Sequence, residues 1–573
     1  MDADRKRAAQ EQVDAIRRRS TPVQNHIIDE YAAGKLSRRS FVRRTAILGM
    51  SLPVAGFLAK ACAPQELDEV VDEPVDPEAP PAPEEPDPTA PQVVRASFFR
   101  PAGPIDPVLT NDEGRLAVLG QASEYLIFSD DELVPRPELA ESWESNEVGD
   151  VWTFNLYPNA TFHDGTPVTA EDVVASFRGI ADGNAASAFE TFGVTADSVE
   201  AVDEHTVRFQ LERPNGSFPF FVSSDNYNAT ILPVSFWENY AEGSYEQEFP
   251  GSGPWILESF EPDAFAHYVK NENYWGERPG QPDRLEVTFI EEEAPMVTAF
   301  QEGRTDIIPL ISFAGASALI DSPDANVIAI PTSQHRQIYF DTSRPPFDDP
   351  RVRQAIALTL NRQALLDGLV GGFGVLGNDH PIWEVYPMFD PGAVSQRDED
   401  LAEARALLEA AGHGDGFSSR LDTLTFREVP DLATLVQSSA REIGVDLEVG
   451  VFDAGTYYSD YWLAAEASMG IVNYGHRGVP DVFLGAPLLS DGTWNASHWQ
   501  NPAYDELFAQ YSASPDLDSQ RQLAGQIQAL LWEEIPFMVP YFVDNIAITK
   551  PGIEGLTVTG MGHVDLTGVR FTS

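Results

Sequence analysis

The chain has 573 residues and a formal net charge of −53, with 90 Asp and Glu against 37 Lys and Arg. A surface this acidic repels phosphate backbones, which excludes nucleic acid as a partner. A single cysteine excludes an internal disulfide, and the length is enough for two or more lobes around a large core.

The first 35 residues are a polar, helix-compatible leader. Next comes LSRRSFVRRTAILGMSLPVAGFLAKAC, from Leu36 to Cys62. Arg38 and Arg39 follow Ser37, with Phe41 two places on, which is the pattern of a twin-arginine export signal. The apolar part, Thr45 to Ala59, has the length of a signal-peptide core and is too short for a membrane span. Cys62 follows at once and is the expected lipid-attachment point, although Lys60 stands where lipoprotein signals prefer a small residue. Pro64 to Pro91 is dense in Pro, Asp and Glu and reads as an extended tether. Residues 1–61 are therefore signal and leader, 62–91 tether, and the working fold starts at Gln92. It lies in the periplasm or on the outer face of the cytoplasmic membrane, held to the membrane surface through Cys62.

From there the spacing predicts a strand at Val93–Phe99 and a helix over Arg115–Phe128. Trp152–Tyr157 alternates as a strand, and Thr169-Ala-Glu-Asp172 caps a helix through Phe177. Leu285–Ile290 is a strand and Met296–Gly303 a helix. Asp349–Gly368 and Leu401–Gly412 are amphipathic helices, and Leu432–Ile443 is a helix leading into a strand at Val445–Val451. Asp518–Glu534 is helical and Phe537–Ile548 rich in strand. Helices alternating with short strands indicate an α/β protein with mixed sheets.

Catalytic patterns are soon exhausted. There is no G-x-S-x-G elbow, no H-E-x-x-H and no phosphate-binding loop. Carboxylates are so abundant that chance pairs carry no weight. His163-Asp164-Gly165-Thr166 reads as turn chemistry, with an Asp side chain on backbone and Gly at positive φ. Asp349-Pro350 starts a helix by capping, which leaves Arg351 and Arg353 to brace the fold.

Seven strings carry a different message: PELAESWE (Pro137–Glu144), WTFNLYPNATFHDGTPVTAEDVVASF (Trp152–Phe177), GSGPW (Gly251–Trp255), NENYWGERPGQPDRLEV (Asn271–Val287), RPPFDDPRVRQAIALTLNRQAL (Arg344–Leu365), ARALLEAAG (Ala404–Gly412) and NPAYDELF (Asn501–Phe508). In this order and spacing the chain resembles family 5 of the solute-binding proteins of ABC importers, the peptide, oligopeptide and nickel group, from about Pro91 to about Tyr541. The resemblance implies a periplasmic-binding-protein-like fold of type II, cluster C: two lobes with mixed sheets and a hinge between them. Lobe I would hold 92–330, lobe II 331–532, and 533–573 would return to lobe I. It implies a monomeric receptor, not an enzyme, with no cofactor or metal, that delivers a peptide or other small solute to ABC permease subunits.

In the family's peptide binders one contact stretch reads Gly-Trp, two residues, then an Asp that holds the peptide's amino group. The matching stretch here is IVNYGHRGVPDVFL, from Ile471 to Leu484. Tyr474 falls at the Trp position and Arg477 at the Asp position, with His476 beside it. A cation there repels an ammonium group, so the usual clamp is missing unless Asp481 takes over. Arg477, with His476, would instead pair an anionic or hydroxyl-rich part of the solute; a salt bridge to a neighbouring carboxylate is the alternative. Tyr125, Trp255, Trp383, Tyr474, Trp494 and Trp499 supply aromatic faces for a cleft, and Asn495 and His498 polar contacts. A carbohydrate-derived or anionic solute, or a sensor that presents its ligand to a membrane kinase, are the competing readings.

Overall fold

Alternating apolar residues make Val94, Ala96 and Phe98 one buried face of the strand Val93–Phe99. That strand lies near the middle of the first of two seven-stranded sheets in a computed structural model. The structure describes residues 92–573 apart from 111, 131, 184–194, 227, 242–243, 464–467, 515 and 573. Arg38, Arg39, Cys62 and the acidic Pro-rich stretch lie outside the described residues.

The first sheet runs Asn326–Ile330, Asn545–Thr549, Ile307–Ile311, Val93–Phe99, Arg284–Ile290, Phe265–Lys270, Trp255–Glu261 in spatial order. Val93–Phe99 pairs in parallel with both Arg284–Ile290 and Ile307–Ile311. A separate antiparallel sheet of four strands, Ala140–Ser145, Val151–Leu156, Thr206–Gln210 and Val199–Asp203, packs against the helix Ala170–Gly183. Its core is aromatic, with the Phe177 and Phe209 rings 5.0 Å apart, edge to face.

The second large sheet is built from Gly374–Leu376, Tyr541–Val543, His335–Phe340, Met469–Tyr474, Phe417–Leu424 and Val445–Phe452, with Phe537–Met538 beside His335–Phe340. Its last three strands are parallel to one another, and the helix Val429–Arg441 connects Phe417–Leu424 to Val445–Phe452.

Two short segments join the sheets. Residues 331–334 lead from Ile330 to His335, and Asp544 alone separates Val543 from Asn545. They are tied together: the Thr332 hydroxyl donates to the Val543 carbonyl at 2.6 Å, the Val543 N–H to the Gln334 carbonyl at 2.9 Å, and the Gln334 amide to Asn545 Oδ1 at 2.6 Å. Two adjacent, cross-linked crossings make a hinge of small extent. The return to the first sheet thus comes at Asp544 and not at 533, because Phe537, Met538 and Tyr541 are buried in the second lobe's core.

The long helix expected over 349–368 is two helices, Pro350–Ala357 and Arg362–Val370. Asn361 divides them: its side chain accepts from the Ala364 N–H and caps a new helix where the first would continue. The helix expected to run to Phe128 stops at Ala122, and Ile127–Ser129 is a short strand. Arg351 and Arg353 brace as expected: Arg351 pairs with Asp349, and buried Arg353 donates to the carbonyls of Phe347, Glu534 and Ile535.

Candidate functional site

In open α/β sheets, ligands bind beyond the carboxyl ends of parallel strands. In the second lobe those ends lead into the loops after Leu424, Phe452 and Tyr474. In the first lobe they lead into the loops after Phe99, Ile290 and Ile311.

The loop after Tyr474 is held by the hinge. The Ser333 N–H donates to His476 Nδ1 at 2.9 Å, and the Ser333 hydroxyl donates to the Arg477 carbonyl at 3.1 Å and accepts from the Arg477 N–H at 2.9 Å. Nδ1 is therefore an acceptor and the ring proton sits on Nε2, which is buried without a hydrogen-bond partner among the described residues. Burial, with the Arg477 charge adding, lowers the His476 pKa to about 3. The ring packs against Gly560, where a Cβ would stand 2.7 Å from it.

Further along, the same loop meets the first lobe. The Asp225 side chain lies so close to Gly478 that a Cβ there would force one of the two to shift. Asp481 accepts from the Ser217 hydroxyl of the opposite lobe and from the Tyr511 hydroxyl, each at 3.3 Å. The Gly216 N–H donates to the Ser512 carbonyl at 2.9 Å, and Val479 joins the apolar cluster of the four-stranded sheet. One oxygen of each carboxylate, Asp225 Oδ2 and Asp481 Oδ1, is buried without a hydrogen-bond partner among the described residues. Burial pushes Asp225 up to about 7 and Asp481 up to about 6.

Of the residues singled out by sequence, the structure gathers Tyr474, His476, Arg477, Asp481 and Trp494 around this loop. Tyr474 stacks on Trp494 with centroids 6.0 Å apart. Arg477 is half-buried and forms no ion pair among the described residues; its Nη1 donates to the His476 carbonyl at 2.7 Å. The salt-bridge alternative therefore has no partner in this arrangement.

The others lie elsewhere. Trp255 is fully buried in the first sheet's core, Trp383 packs on Phe542 at 5.4 Å, and Tyr125 meets His563 edge to face at 5.3 Å inside the first lobe. Asn495 is a loop brace, donating to the carbonyls of Leu489 and Trp499 and accepting from the Trp499 N–H. Trp499 is also buried, against Tyr504 at 5.2 Å. His498 pairs with Asp341 at 3.1 Å beside a cavity of about 640 Å³ lined by Thr342, Arg344 and Glu534. That cavity opens at the Phe340 end of the strand His335–Phe340, away from the hinge at its His335 end.

The recurring strings converge on a polar brace. Glu124 accepts from the Tyr274 hydroxyl at 2.6 Å and from the Trp275 indole N–H at 3.0 Å, and Glu138 accepts from the Tyr125 N–H at 2.8 Å. His163 bonds the Gly253 carbonyl at 3.0 Å, while Asp164 accepts from the Thr166 N–H across Gly165 at φ +85. Sequence reasoning missed Ser217, Asp225, Ser333 and Arg427. Arg427 had a signal: it sits between a strand and its following helix, at a strand's carboxyl end.

Residues 134–496, more than half of the chain, match the family described as Bacterial extracellular solute-binding proteins, family 5 Middle. The chain is similar to the periplasmic murein peptide-binding protein MppA of Escherichia coli, 25% identical over 497 residues, covering 82% of this chain and 90% of that protein. It is also similar to heme-binding protein A of Haemophilus influenzae, 24% identical over 466 residues, covering 76% and 83%. Among solved structures, HbpA2 from Haemophilus parasuis superposes with a TM-score of 0.74 at 23% identity, covering 84% of this chain and all of that one. Two lobes joined by a narrow double crossing, with the family match, identify the class as a solute-binding receptor. The chain belongs to family 5 of the bacterial extracellular solute-binding proteins.

Proposed function

We propose that this receptor is exported through its twin-arginine segment, is tethered by lipid at Cys62, and captures a peptide or related small solute between its lobes for delivery to an ABC permease. Support for a peptide-like solute comes from relatives named for murein peptides, dipeptides and glutathione. The observation that carries the site is Arg477: a half-buried guanidinium on the loop between hinge and seam, without a carboxylate partner among the described residues. Such a cation favours an anionic group on the solute, and closure follows because only the closed form brings both lobes to one ligand. A solute identified by thermal-shift screening should lose at least about tenfold in affinity with Arg477→Ala, in line with the loss of a charged hydrogen bond. Unchanged affinity would remove Arg477 from the site.

A further inference from the structure

Two neighbouring parallel strands of the second lobe each lead to an arginine three residues on: Arg427 after Leu424, and Arg477 after Tyr474. The strands pair directly, Thr423 beside Ile471, so their loops leave the sheet side by side, with strand axes on the order of 5 Å apart. Nearby arginines of that lobe are neutralised: Arg336 pairs with Glu428 at 2.7 Å and Arg420 with Asp422 at 2.7 Å. Arg427 and Arg477 form no ion pair among the described residues. Arg427 is exposed and lies 5.3 Å from the Phe426 ring centroid.

The strand ends of the first lobe carry a charge of the opposite sign. Glu113 opens the helix Glu113–Ala122, the first element after the parallel strand Val93–Phe99. It is half-buried, and among the described residues its carboxylate accepts no hydrogen bond and forms no ion pair. Its neighbours are occupied: Asp112 caps its own helix, and Glu293 accepts from the Ser312 N–H and hydroxyl. Burial raises the Glu113 pKa, and the charge of Arg427, from the other lobe, pulls it back down. Glu113 also lines a small cavity with Ser97, Phe99 and Leu310, at the carboxyl ends of the parallel strands Val93–Phe99 and Ile307–Ile311.

We propose that the crevice is polarised and takes a zwitterionic solute, with its anionic group against Arg427 and Arg477 of the second lobe and its cationic group against Glu113 of the first. The proposal rests on the solute-receptor reading and deepens it. A solute with both charges compensates both walls at once and so has a higher affinity for the closed form. One that lacks either charge leaves a partly desolvated ion uncompensated on closure.

The test is a panel of small zwitterions (amino acids, di- to pentapeptides, betaines and amino-sugar acids), each matched with an analogue neutral at the cationic or the anionic end. Affinity is read by thermal shift and calorimetry on the mature chain. The expected result is that zwitterions bind and that neutralising either end weakens binding at least about tenfold. Glu113→Gln then removes the discrimination at the cationic end only, and Arg427→Gln with Arg477→Gln the discrimination at the anionic end only. Each variant must first melt within a few degrees of the parent without solute; if one does not, Glu113→Asp or Arg427→Lys replaces it and is expected to keep part of the discrimination. Binding by a neutral or singly charged analogue as tight as by its zwitterion overturns the polarity but leaves the receptor reading intact. Binding by no member overturns both.

Discussion

The seam between the lobes buries two carboxyls that pair with no cation among the described residues, which makes contact between the lobes pH-dependent in a calculable way. Asp225 stands at about 7 and Asp481 at about 6, against 3.8 for an exposed aspartate. At about 1.4 kcal/mol per unit, these displacements set upper limits of about 4 and 3 kcal/mol. The sign follows from proton binding. In contact, the two groups keep protons that they release when the seam opens, so contact is strongest in acid. It weakens as pH rises from about 4 through 7 and is constant above that. His476, with its pKa lowered to about 3, acts in the other sense between about 3 and 6.5, and it cancels in a comparison at one pH. Replacing both aspartates by asparagine removes the charge but still buries two amides, which returns about 1–3 kcal/mol for each unpaired group. The double variant Asp225→Asn, Asp481→Asn should therefore be more stable than the parent by about 1–5 kcal/mol at pH 8. The advantage should shrink as pH falls and reverse before about pH 4, where the parent's carboxyls are protonated and only the cost of the buried amides remains. Denaturant unfolding at pH 8, 6 and 4.5, with small-angle scattering to follow compactness, measures it. A gain independent of pH, or one that grows in acid, would refute the reasoning.

Three further outcomes follow from single contacts. Gly478→Ala places a Cβ against the Asp225 carboxylate and should separate the lobes, seen as a larger radius of gyration with unchanged secondary structure; pairing it with Asp225→Ala should restore the parent value. Asp379, fully buried, accepts from Arg362 at 2.7 and 2.8 Å and from Arg397 at 2.8 Å; Asp379→Ala should cost about 3–5 kcal/mol in denaturant unfolding because two arginines lose their shared counter-charge. Ser333→Ala removes the hydroxyl that clamps Arg477 to the hinge and should weaken solute binding with little change in melting temperature.

Much of the fold was legible because it is written locally. The alternation in Val93–Phe99 and the stop at Gly412, whose φ is +85, need no distant partner to be read. The single helix expected over 349–368 failed because Asn361 looks like an ordinary polar position until its side chain is seen on the Ala364 N–H. The site was legible in part for the same reason. Tyr474, His476, Arg477 and Asp481 lie on one loop, so finding the loop found them together. Asp225 and Ser217 come from about 250 residues away and meet that loop only through lobe packing, which no local pattern encodes. The aromatic residues misled in a systematic way: Trp255, Trp383 and Tyr125 flank loops in sequence, yet large rings stabilise a core whether or not a loop follows.

The central claim is that a solute is held between two lobes and leaves unchanged. Hydrogen exchange on the mature chain, with and without a solute found by thermal shift, tests it most directly. Protection should appear together in residues 425–428 and 475–481 of the second lobe and around Glu113 and Asp225 of the first, with the solute recovered intact. Protection confined to one lobe, or a solute chemically altered on recovery, would contradict it.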